Sequence, residues 1–99
     1  MNIPLYIFEM AWFREMGVSG RLLLFDAIRA VHLQYGGMEI DLTRTYGITF
    51  THATSRAGLS VEQFRKARKQ LLFAGVLNRI DRTGFNQSYR DVFNFRLPR

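Results

Sequence analysis

Leu24, Ala27, Ile28, Val31 and Tyr35 recur at the i, i+3, i+4, i+7, i+11 spacing that lines apolar side chains along one stripe of a helix. Ser19 offers a cap for that helix and Gly36-Gly37 a stop, so a helix from Ser19 to about Tyr35 is expected. Leu22, Phe25 and Leu33 lie off the stripe. They either pack on a neighbouring helix or form a subunit contact, and the layering of compact domains favours the first. The preceding segment, Pro4 to Met16, is apolar at nine of thirteen positions, with charges only at Glu9, Arg14 and Glu15. Pro4 suits a first helical turn and Gly17 a stop, so this segment reads as a helix covered on both flanks of a narrow polar stripe. It lacks the basic leader of a signal peptide and the roughly 18 apolar residues of a spanning helix, so no membrane is expected.

From Met38 to Gly47, Ile40 and Leu42 alternate with Glu39, Asp41 and Thr43, which suggests a short strand or an extended loop. Ile48 and Phe50 flank Thr49 as a second short strand candidate. Thr51 can cap a short helix from His52 to Ala57, and Gly58-Leu59-Ser60 breaks it. Ser60-Val61-Glu62-Gln63 has the pattern of a capping box, with the serine oxygen accepting from the amide three residues on and Gln63 reaching back. Two helices joined by so short a turn, with small Ala53 and Ala57 at the crossing and Phe64, Ala67 and Leu71 facing them, fit a helix-turn-helix.

On a helical wheel at about 100° per residue, Val61, Phe64, Ala67, Arg68, Leu71, Leu72 and Ala74 share one broad face. Glu62, Gln63, Arg65, Lys66, Lys69 and Gln70 occupy the other, and Phe73 projects from it near the C-terminal end. Gly75 stops the helix. Val76, Asn78 and Ile80 then alternate with Leu77, Arg79 and Asp81 as a half-buried strand would. A polar, basic connection follows from Arg82 to Arg90, and the chain returns with Phe93, Phe95 and Leu97 alternating against Val92, Asn94 and Arg96. The expected fold class is α+β: a winged helix-turn-helix with about four helices and a C-terminal two-stranded β-hairpin wing. One domain is expected over 1–99, with an N-terminal helical segment at 1–18 and the winged-helix core at 19–97.

Charge sharpens this picture. The net +6 hides a division: residues 1–50 carry four Arg against five acids, whereas residues 51–99 carry ten Lys or Arg against three. The surplus therefore lies in the half that holds the capped helix and the hairpin, as expected of a partner for a polyanion. Cations on an exposed helix face are in most proteins a solvated surface, and it is the conjunction with the turn and hairpin that raises them above it. Arg and Lys can bind guanine edges or phosphates, and Gln can bind adenine edges.

The run Ile48-Thr-Phe-Thr-His-Ala-Thr-Ser-Arg-Ala-Gly-Leu-Ser60, then Phe64 to Arg79, Gly84-Phe85-Asn86 and Phe93-Asn-Phe-Arg-Leu97 resembles the winged helix-turn-helix proteins of phages and plasmids, including replication-initiator domains and small repressors. The likeness covers roughly 19–97. It implies a recognition helix over 61–74 in the major groove, with Gln63, Arg65, Lys66, Lys69 and Gln70 as DNA-binding residues. It also implies a wing over 79–90 on the backbone or minor groove, carrying Arg79, Arg82, Asn86, Gln87 and Arg90, with Arg56 as a phosphate contact. Phe73 on the polar face departs from the pattern and leaves room for a protein-binding variant.

Other chemistry finds no footing in the sequence. There is no cysteine, and His32 and His52 are the only histidines, so no zinc or iron spacing exists. His32 is expected at the surface of its helix or partly buried, and His52 in the first turn of the motif. Gly36-Gly37 is not followed by the Gly-Lys-Ser/Thr of a phosphate loop, and no carboxylate pair or triad stands out. Neither an enzyme nor a cofactor is expected. The leading expectation is a cytoplasmic, sequence-specific binder of double-stranded DNA, acting in transcription regulation or replication. A winged-helix module that binds a protein, such as a phage-encoded inhibitor or adaptor, is the alternative. A homodimer through the N-terminal apolar surface accords with winged helices that read two half-sites.

Overall fold

The computed structural model describes residues 3–37, 39–79 and 92–98. A 3₁₀ turn at Leu5–Glu9 leads into three α-helices, α1 (Ala11–Arg14), α2 (Val18–Gln34) and α3 (Val61–Phe73). Three strands, β1 (Tyr46–Thr49), β2 (Leu77–Arg79) and β3 (Val92–Phe95), form one antiparallel sheet in the order β1-β3-β2. The α+β class holds. The two hairpin strands pair as expected, Leu77 with Phe95 and Arg79 with Phe93, but the sheet has a third member. β1 lies on the other side of β3, pairing Tyr46 with Phe95 and Ile48 with Phe93. β3 is thus the central strand, and its side chains alternate: Phe93 and Phe95 are fully enclosed on the core face while Val92 and Asn94 are half-buried on the other.

The free edge of β1 is covered by a side chain. Gln34, at the end of α2, donates through Nε2 to the Thr49 carbonyl at 3.0 Å and accepts the Thr49 amide through Oε1, also at 3.0 Å. The side-chain amide thus stands in for a strand residue, which blunts an edge that would otherwise be open to pairing. Tyr35 adds a hydroxyl bond of 2.8 Å to the Gly47 carbonyl.

The N-terminal segment is not one helix. It breaks at Met10, which is extended with φ −76° and ψ 136°. Ile7 and Phe13, six positions apart, would point about 120° away from each other on a continuous helix. The break lets both enter the core, at 0% and 6% exposure. Phe13 packs edge-on to Phe8 and tilted against Phe25, so Phe25 joins the N-terminal segment as expected, while Leu22 and Leu33 remain exposed. Arg21 holds the end of α1, donating to the Arg14 carbonyl at 2.8 Å and the Phe13 carbonyl at 3.3 Å.

A helix over His52–Ala57 does not form. Thr51 and Thr54 close one turn on each other through their hydroxyls, and the turn does not propagate. In a helix the Arg56 amide would bond the His52 carbonyl. Here it donates instead to both oxygens of Asp26, each at 3.2 Å, and the Ala57 amide donates to the Ser55 hydroxyl. Asp26 is buried on α2 and paired at 2.8 Å with Arg29, which also reaches the Thr54 carbonyl. A buried carboxylate needs such donors, and it takes them from the backbone that a helix would have used. Gly58, at φ 74°, then turns the chain toward α3.

Candidate nucleic-acid interface

The second half of the expected motif forms in full. Ser60 accepts the Gln63 amide at 3.1 Å, and the Gln63 side chain accepts the Ser60 amide at 3.0 Å, completing the capping box. α3 ends in a paired closure: the Val76 amide reaches the Leu71 carbonyl at 3.0 Å and the Gly75 amide reaches Leu72 at 3.2 Å. Gly75 takes φ 82°, as this ending requires. Between the two caps, Phe64, Ala67 and Leu71 anchor the helix in the core. Phe64 meets Phe50 at 5.8 Å and His52 at 5.5 Å between ring centroids. The half-buried Arg68 lies over Phe64 and Phe93, which makes it a packing residue of the inner face.

The outer face of α3 presents Glu62, Arg65, Lys66, Lys69 and Phe73, all exposed. Lys66 approaches Glu62 at 3.6 Å, with both side chains largely in water, so the pair constrains neither strongly. The structure brings together three cations, Arg65, Lys66 and Lys69, on a helix held rigidly at both ends. Arg56 is also exposed, with its backbone fixed by Asp26. Arg79 ends β2 in backbone terms; its side chain, and with it Arg82, Asn86, Gln87 and Arg90, where a wing is expected, lies outside the described residues.

Of the two glutamines, Gln63 is exposed and fills the capping box expected of it, whereas Gln70 is placed differently from the expectation. Both lie on the flank of α3, roughly a quarter-turn from its outward line. The Gln63 oxygen is engaged in the capping box. Gln70 is half-buried and accepts the Gly17 amide at 3.1 Å, so it caps the start of α2 across 53 residues of sequence. That helix begins at Val18, with Gly17 rather than Ser19 at its cap. Gly20 leaves room for the contact, since a Cβ there would run into the Gln70 amide and Met16. Gln70→Ala should therefore cost about 1 kcal/mol in urea unfolding, the usual worth of a partly exposed hydrogen bond. Any affinity of the chain for a duplex should stay within about twofold, because the amide faces its own chain. An anisotropy titration in which Gln70→Ala loses sequence discrimination would return it to the reading face.

No family model, curated protein or solved structure matches this chain. Its chemistry is therefore read from its own residues. Among the described residues no group of three or more metal-binding side chains comes together, and no helix is long and apolar enough to cross a membrane. His52, expected in the first turn of a helix, instead lies in the non-helical segment, where Nε2 contacts the Leu59 carbonyl at 2.8 Å. His32 is half-buried on α2.

A groove of about 670 Å³ opens where the α1–α2 junction meets the second half of α3, lined by Trp12, Glu15, Met16, Lys69, Phe73 and Ala74 among others. Phe73 is 96% exposed and does not fill it.

Proposed function

We propose that this chain binds duplex DNA in a sequence-dependent manner, as a winged-helix regulator or replication accessory of phage or plasmid type. The observation that carries the reading is the row of exposed cations along a helix capped at both ends. Arg65 and Lys66, within the first two turns, occupy the part of a recognition helix that meets base edges. They lie opposite the buried face of Phe64, Ala67 and Leu71, so the helix can enter a groove without giving up its core contacts. The sheet order, with the last strand between the other two, supports a wing leaving β2 and returning through β3.

In this mechanism the cations neutralise phosphates and release counterions, and the guanidinium of Arg65 reads an acceptor edge. With about five phosphates neutralised, log K should fall with log[salt] at a slope of about −4.5. The deciding experiment incubates the whole chain with a random duplex library at low salt and sequences what is retained. Enrichment of one motif, with the expected salt slope, supports the reading. No enrichment at low salt overturns it in favour of a protein partner, the reading that the exposed Phe73 favours.

A further inference from the structure

We propose that two copies of this chain pair face to face through the groove beside α3, each placing its Phe73 in the other's groove. An aromatic side chain offers roughly 150–250 Å² of apolar surface, and that of Phe73 is left almost wholly in water. It stands beside an opening of about 670 Å³ whose apolar wall is made by Trp12, Met16 and Ala74. A two-fold contact uses one patch on both sides, so the patch must be complementary to itself. This one holds both a projecting ring and a hollow.

Its charges point the same way. Glu15 and Lys69 both line the groove and both are exposed. A phosphate backbone would meet Glu15 unfavourably, as would an acidic protein, and a basic protein would meet Lys69 unfavourably. A second copy, turned about a two-fold axis, can set Glu15 against Lys69 on both sides of the seam. The pairing does not depend on the DNA reading. It assigns Lys69 to the seam and leaves Arg65 and Lys66, nearer the N-terminus of α3, clear of it.

Sedimentation equilibrium of the full chain without DNA, from low to high micromolar, tests the proposal. The wild type should approach twice its mass of 11.6 kDa, and Phe73→Asp should remain monomeric while melting at the temperature of the wild type diluted to monomer. Glu15→Lys and Lys69→Glu should each weaken pairing about tenfold by setting like charges opposite, and the double reversal should restore it. A wild type that stays monomeric, a Phe73→Asp variant that still dimerises, or a double reversal no better than the single ones would each overturn the assignment.

Discussion

Replacing Arg65 and Lys66 together by glutamate is expected to lower duplex affinity at least about thirtyfold while the fold survives. Each contact of this kind contributes about 1–3 kcal/mol, and the lower bound for two corresponds to that factor. The salt slope should also become shallower by about two, because two fewer counterions are released. Both side chains are exposed on α3, and the 3.6 Å approach of Lys66 to Glu62 lies in solvent, so little stability is lost with it. Fluorescence anisotropy across a salt series, beside a thermal melt, separates the two effects. Undiminished affinity in the double variant would overturn the proposed role of α3 as the groove-reading helix.

On the same helix, Phe64→Ala should cost about 3–5 kcal/mol, a large part of the roughly 5–15 kcal/mol that holds a domain folded. Phe64 is 2% exposed and lies where α3, the Phe50 ring, the His52 ring and the Arg68 guanidinium meet. Its removal leaves a cavity bounded by elements that are fixed elsewhere, so the site collapses poorly. Chemical denaturation should show the midpoint falling steeply. Phe73→Ala, nine residues on, should stay within about 0.5 kcal/mol of the wild type at concentrations where the chain is monomeric, as exposed substitutions do. Equal effects from the two phenylalanines would contradict the burial of the first and the exposure of the second.

The parts of the fold that could be read in advance are those governed by neighbours in sequence. The Ser60 and Gln63 box, the Gly75 ending and the inner face of α3 each depend on residues within a turn or two. So does the alternation of Phe93, Phe95 and Leu97, all buried. The expected helix at His52–Ala57 failed because its local signals were sound but outbid: Asp26, thirty residues earlier, takes the Arg56 amide. The N-terminal helix failed because an almost uniformly apolar segment has no periodicity to say where it should break. Burial of both Ile7 and Phe13 supplied the reason.

The candidate site divides along the same line. Arg65, Lys66 and Lys69 are exposed as the wheel places them, whereas the wheel could not foresee that Gln70 would reach Gly17. The capping pattern identified Gln63 as engaged, since the serine that needs it is three positions away. Nothing near Gln70 in sequence names its partner.

By itself, then, the sequence determined the spans of α2 and α3 to within a residue or two, the two paired C-terminal strands and the concentration of positive charge in the second half. Periodicity, caps and charge are local quantities, and local quantities survive folding. The tertiary structure alone decided that β1 would complete the sheet, that Asp26 would unmake a helix, and that Gln70 would hold the start of α2 rather than face outward. Each of these turns on a hydrogen bond between residues far apart in sequence or on which side of a strand is left unpaired. Such pairings are chosen only when buried polar groups must find partners in a packed interior.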